Sequence, residues 1–412
     1  MGFLKKKRVW ELLLLNLPGV AGILVALITY PVILKHIPKE DYGRWQFAMA
    51  LQGWILTFSA GQIILGAKRG VAVGLKGTML YAFLYRLKLL LILGSAMVLA
   101  GLIMWIARWH PKLGILIVFA GLYLMEGFLA QVSFSEFLIA TKQFGKRAAG
   151  IIMAFTVSNG GSAVAAYLTG NVFAYTGFLL ASNFLIYNIL WWLLVFKQGV
   201  MESYKKGEID RNCVKFGLTM IPFDLIAATA NKLSHFAIGA FSGFADLAVF
   251  SVANRLRDQM ANVLKSLRGL FYADFAKEDS TLLLKRLFEQ KILLKGGILG
   301  LFAGIAGTLF TWGYVKFFLP PSFSFAVLYF LILATAFPAA VMTIVLQTVF
   351  ESQLQARKLT IIGVSTNVPR IFLIVLLGYL WGIKGVCVAM SLSLWAGFFL
   401  YLFFGIKDLS KG

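Results

Sequence analysis

The chain has 412 residues, of which 60% are hydrophobic and 14% charged, against about 25% charged in a soluble domain. Apolar runs near the ~20 residues that cross hydrocarbon recur along the whole length. That excludes a soluble enzyme and points to an all-α polytopic membrane protein. The net charge of +22 reads mainly as a topology signal with affinity for membrane lipids, and no nucleic-acid partner is expected.

In chain order, twelve spans are expected near 9–34, 44–66, 79–107, 112–140, 148–170, 173–196, 213–241, 246–271, 289–313, 323–352, 359–380 and 383–405. The first apolar run is too long for a signal-peptide core and should remain as helix one. Segments 112–140 and 323–352 are long enough to tilt. Twelve spans put both termini on one side. Lysines and arginines crowd that side, while the other side holds only Lys35, Lys39, Arg44, Arg108, Lys112, Lys316 and Lys384. The positive-inside bias therefore makes the termini cytoplasmic.

A faint internal repeat divides the chain. The run Asp41-Tyr42-Gly43-Arg44-Trp45-Gln46-Phe47-Ala48 parallels Asp246-Leu247-Ala248-Val249-Phe250-Ser251-Val252-Ala253. Two six-helix lobes follow: residues 1–196, a cytoplasmic interlobe linker at 197–212, and residues 213–412. The two halves would share one topology, as in some transporters.

Several spans carry ionised residues near the expected midplane: Glu126, Asp224, Arg255, Arg257, Asp258 and Arg370. A charge at a helix centre costs roughly 2.5–3.5 kcal/mol on insertion scales, so it faces a cavity, a partner or a substrate. On span eight, Arg255, Asp258, Asn262 and Lys265 share about 80° of arc, with Arg257 on an adjacent stripe. They either line a cavity or form an Arg255–Asp258 pair that leaves Arg257 without a local partner. Span seven carries Asp224, Asn231 and His235 on one face and Lys232 beside them. Pro222 can kink it, and Asp224 is either a group at a hinge or the counter-ion of an arginine. Arg370 has no acid in its own helix. Glu126 is either a proton-coupling group or the fixed partner of an arginine. Asn16, Gln46, Gln52, Ser59, Gln62, Asn159 and Asn183 either join helices or bind hydroxyls.

Other chemistry is thin. Cys213 and Cys387 have no metal spacing, and the histidines are His36, His110 and His235. There is no P-loop, so ATP hydrolysis is not expected. No catalytic residue and no cofactor are assigned. A membrane-embedded glycosyl- or acyltransferase is the enzymatic alternative.

These features carry a resemblance. The turn Ile37-Pro38-Lys39-Glu40-Asp41-Tyr42-Gly43 and the passage from Pro222 through Asn231-Lys232 to Ala253 resemble the polysaccharide (O-antigen and exopolysaccharide) flippases. Those belong to the multidrug/oligosaccharidyl-lipid/polysaccharide exporter superfamily. Ser234-His235 stands near where members often carry an Asp-Arg pair, so no acidic role is carried over there. The resemblance implies flipping of undecaprenyl-pyrophosphate-linked oligosaccharide across a bacterial cytoplasmic membrane, by alternating access through a cationic cavity. The implied partners are that lipid, membrane lipids and the polysaccharide polymerase machinery. Arg255, Arg257 and Arg370 would hold the pyrophosphate, with Lys232 and Lys265 towards the ends and Glu126, Asp224 and Asp258 as coupling groups or counter-ions. The rival within the superfamily is a drug or organic-cation exporter, which would need accessible carboxylates.

Overall fold

The computed structural model describes residues 6–125, 127–266, 280–352 and 355–409. Helix is the only long regular structure among them, because a backbone in hydrocarbon must satisfy its polar groups within each segment. The helices are α1 (Lys6–His36), α2 (Lys39–Ile55), α3 (Gln62–Ala72), α4 (Gly77–Ile106), α5 (Pro111–Met125) and α6 (Gly127–Ala140). They continue with α7 (Phe144–Thr169), α8 (Val172–Leu194), α9 (Val200–Lys205), α10 (Asn212–Phe241) and α11 (Phe244–Ser266). The rest are α12 (Ser280–Glu289), α13 (Ile292–Phe318), α14 (Phe325–Ala334), α15 (Phe337–Ser352) and α16 (Ala356–Leu409).

Among the described residues, 8 helices are long and apolar enough to cross a membrane alone, and two bent pairs raise this to 10. Two further spans do not register by length and hydropathy. One is α11, whose charges dilute its apolar content. The other is hidden in α16, which turns back on itself at Gly382 (φ 58°, ψ −138°), a backbone state that only glycine adopts readily. Its two arms, 356–381 and 383–409, run antiparallel: Thr366 lies against Gly397, and Lys358 Nζ meets Asp408 at 2.5 Å. The twelve expected spans are thus all represented in this multi-pass membrane protein.

Two expected spans are broken rather than straight. The second bends by 55° between α2 with its 3-10 extension to Ser59 and α3, where Ala60 sits in the left-handed region (φ 52°). The tenth bends by 45° between α14 and α15. Pro338 explains that second break: it cannot donate to the carbonyl of Ala334, and its ring crowds it.

The chain separates into two compact units, Met1–Ala228 and Thr229–Gly412. Helix α10 gives its first half to unit 1 and its second half to unit 2. The repeat offset of 205 recurs in the helix ends: α1 ends at His36 and α10 at Phe241, α2 starts at Lys39 and α11 at Phe244.

Within unit 1, α4 and α5 form a hairpin held by glycines. A Cβ on Gly101 would sit 2.6 Å from the Gly114 carbonyl oxygen, and one on Gly114 would sit 2.7 Å from that of Gly101. Gly94 and Gly121 repeat the arrangement one level along. Small residues permit this backbone approach, which supplies the dispersion contact that holds helices together in lipid. In unit 2, the segment between α11 and α13 contains α12, an amphipathic helix. Its Leu283, Leu284 and Leu287 are buried in a cluster with Leu346, Phe350, Ile362 and Tyr401, while Lys285 and Arg286 are exposed.

Candidate functional site

The second half of α10, α11 and the first arm of α16 gather charged and polar side chains in unit 2. All three helices share an end: the Phe241 and Tyr379 rings lie 6.0 Å apart, and Gly382 lies beside Ser242. From that end, Asn231 is ten residues down α10, Arg257 thirteen down α11, and Arg370 twelve up the first arm of α16. At 1.5 Å per residue these are depths of about 15–20 Å, close to the middle of a ~30 Å hydrocarbon layer.

The contacts are specific. Arg370 Nη1 donates to Asn231 Oδ1 at 3.0 Å, while its buried Nε has no hydrogen-bond partner. Arg257 Nη2 pairs with Asp258 Oδ1 at 2.6 Å, and Asn254 Nδ2 donates to Asp258 Oδ2 at 3.2 Å. The Asp258 carboxylate also acts on Lys232 and on Arg370, which feels the Arg257 charge as well. His235 packs edge-on against Phe250 at 5.5 Å. Arg257 is therefore ion-paired with Asp258, while Lys232 and Arg370 lie within electrostatic range of the same carboxylate.

This corrects part of the sequence reading. Arg257, expected to lack a local partner, is paired with the residue that follows it. Adjacent helical side chains diverge by 100°, but the long guanidinium arm bridges that gap and the half-exposed carboxylate turns to meet it. Asp224 shows no ion pair with an arginine among the described residues of unit 1. It accepts from Gln62 Nε2 at 3.3 Å within unit 1. Arg255 is half-buried on α11. Lys265 lies in α11, but its side chain falls outside the described residues, as does Glu126.

Several uncharged polar residues of unit 1 are satisfied locally. Gln46 donates to the Tyr42 hydroxyl at 2.7 Å, which itself donates to Tyr30. Asn159 and Asn183 bond back to carbonyls four residues earlier. Of these, the Tyr42–Tyr30 bond joins α2 to α1, and the others lie within single helices.

Two polar groupings were not foreseen. Arg86 of α4 is 2% exposed and donates through Nε and Nη2 to Ser59 Oγ at 3.2 and 3.1 Å. It lies at the break between α2 and α3, and its Nη1 has no partner. Its position seven residues into an expected span was the available signal. The second grouping joins α3, α6 and α7: Lys68 Nζ meets Glu136 at 2.9 Å, and Arg147 Nε donates to Ser135 Oγ at 2.8 Å. Among the described residues no cluster of His, Cys, Asp and Glu could hold a metal.

Comparison with known proteins agrees with the resemblance read from the sequence. Residues 78–271 match a family model described as a polysaccharide biosynthesis protein. No curated protein matches the sequence. Solved structures match over nearly the whole chain. A eukaryotic MATE transporter aligns at TM-score 0.61 and 12% identity, covering 98% of each chain. An inward-facing multidrug resistance MATE transporter of the MOP superfamily aligns at 0.57 and 15%, covering 95% of this chain and 98% of the other. An outward-facing multidrug resistance MATE transporter of that superfamily aligns at 0.59 and 14%, covering 97% and 96%. At such identities the likeness is one of fold: the chain has the fold of MOP-superfamily transporters.

Proposed function

We propose that the protein is a transporter that flips a lipid-linked oligosaccharide, carried on undecaprenyl pyrophosphate, across a bacterial cytoplasmic membrane for polysaccharide biosynthesis. The observation that supports this reading is the placement of Lys232, Arg257 and Arg370 at mid-depth, Arg257 paired with Asp258 and the other two within electrostatic range of that carboxylate. A surplus of cations at that depth suits an anionic head group, because guanidinium forks bind phosphate bidentately and gain strength where water is scarce. The match to polysaccharide biosynthesis proteins favours the same substrate class over an organic cation, which would call for accessible carboxylates.

In this reading Arg257 and Arg370 grip the pyrophosphate, with Arg255 and Lys265 along the same helix and Lys232 on α10. The polyprenyl tail stays in lipid while the glycan crosses. The six-helix lobes, 1–196 and 213–412 joined by 197–212, give alternating access, with both termini in the cytoplasm. No covalent chemistry is required, and the polymerase machinery receives the flipped product. Asp258 is the counter-ion of Arg257, and Glu126 and Asp224 are the candidate coupling groups.

The test is translocation of a fluorescent polyprenyl-pyrophosphate oligosaccharide in proteoliposomes, comparing the native chain with Arg257→Gln and Arg370→Gln. Loss of flipping in folded variants is expected. Equal rates would make these arginines structural, and export of an organic cation by a chain that does not flip would transfer the function to the drug-exporter class.

A further inference from the structure

Unit 1 contains a polar site of its own. A cavity of about 340 Å³ lies between α1, α6 and α7, large enough for about ten waters at ~30 Å³ each. Its polar lining is Gln131, Ser135, Glu136 and Arg147, and its apolar wall includes Pro18, Val132, Ile151 and Phe155. Arg147 is the key group. Its Nε is held by Ser135 Oγ at 2.8 Å, and its Nη1 makes a long 3.4 Å contact to the Leu15 carbonyl of α1. Those two contacts fix the guanidinium plane, and Nη2 has no protein partner among the described residues.

The charge balance selects the ligand. Glu136 is held by Lys68 at 2.9 Å and acts on Arg147, so two cations face one carboxylate. A metal or ammonium ligand would have to displace Lys68, whereas an anion meets the open edge of Arg147. The geometry adds an apolar leg. Arg147 is in the first turn of α7, after the exposed Lys142 and Lys146, and Phe155 lies about 12 Å deeper along the same helix. The polar end thus sits at the basic end of the span, where head groups lie, and the apolar wall runs inward. Basic pockets between membrane helices bind anionic head groups in this way.

We infer that this unit 1 cavity binds the phosphate ester of a membrane lipid, with the phosphate on Arg147 and the hydrocarbon along Ile151 and Phe155. The phosphate can belong to a glycerophospholipid or to a polyprenyl phosphate, since the chemistry of the contact is the same. The inference does not depend on the pyrophosphate site of unit 2.

The experiment titrates dioctanoyl phosphatidylglycerol, geranylgeranyl phosphate and inorganic phosphate into the purified full-length protein in non-ionic detergent. It is run in an Arg257→Gln/Arg370→Gln background, which removes both guanidinium groups assigned to the phosphate grip of unit 2, and Arg147→Gln and Phe155→Trp are read as differences within that background. At least one lipid phosphate should bind, far more tightly than inorganic phosphate, and the tighter of the two identifies the source. Adding Arg147→Gln should weaken it about tenfold or more. Phe155→Trp, which fills the apolar leg but leaves the charges, should weaken the lipid phosphates and leave inorganic phosphate unchanged. Unaltered binding in either variant would overturn the inference, as would inorganic phosphate binding as tightly as the lipids. If Arg147→Gln does not fold, Phe155→Trp alone decides between these outcomes.

Discussion

Arg86 makes a sharp prediction because its two possible perturbations pull in opposite directions. The guanidinium is buried at the α2–α3 break, and the hydroxyl of Ser59 is its one acceptor among the described residues, reached by Nε and Nη2. Two hydrogen bonds from a charged donor return about 1.5–3 kcal/mol each, while desolvating an isolated ion costs several kcal/mol. The balance is near zero or unfavourable, more so with Nη1 unpartnered. Arg86→Met should therefore leave stability unchanged or raise it by about 1–4 kcal/mol. Ser59→Ala removes the acceptor but keeps the charge, and should destabilise by about 2–3 kcal/mol. In the double variant the Ser59→Ala cost should largely vanish, giving a strongly non-additive cycle. Unfolding of the purified protein in detergent, by heat or by titrated SDS, measures all four corners. If Arg86→Met proves the more damaging single change, the argument that this arginine is retained at a cost to stability is wrong.

Other consequences are equally direct. Asp258→Asn removes the carboxylate that neutralises Arg257. Pyrophosphate should then bind about tenfold more tightly, while proteoliposome flipping slows because release is impeded; weaker binding would show that Asp258 supports the site rather than competes for it. Gly101→Leu puts a side chain where 2.6 Å separates the Cβ position from the Gly114 carbonyl oxygen. It should cost about 1–3 kcal/mol or more by overpacking and lower the yield of folded protein. Leu287→Ala, on the buried face of α12, should cost about 2–5 kcal/mol, whereas the exposed Leu282 should tolerate alanine within about 0.5 kcal/mol; both are read by the same unfolding assay.

The spans and the repeat were legible because hydrocarbon imposes a length and a composition on every crossing segment, whereas the break at Pro338 went unread in a segment expected to tilt. Nor was the break at Ala60 legible, since alanine gives no warning of a left-handed backbone that the surrounding packing enforces. The arginines of α11 and α16 stood out by their depth alone. Their partners did not: Arg370 reaches Asn231, 139 residues earlier, and Asp224 reaches Gln62, 162 residues earlier. A helical wheel reports which residues share a face, not which faces meet. The Arg257–Asp258 pair was hidden for a related reason, because a wheel treats neighbours as divergent and ignores the reach of a guanidinium. The cavity around Arg147 needed three helices at once, and no single-helix pattern encodes it.

The antiparallel arms of α16 bear on how the chain is made. Their contacts join residues close in sequence around a single turn, so the chain entropy lost on closing them is small. A Cβ at Gly385 would fall 1.8 Å from the Leu377 carbonyl oxygen, so position 385 accepts nothing larger than glycine. The pair Lys358–Asp408 ties the opposite, open end. The last two spans are therefore equipped to enter the membrane as one hairpin, complete before the remainder of unit 2 assembles around it. Removal of the chain from Asp408 onward would leave that hairpin fastened at its turn and loose at its mouth.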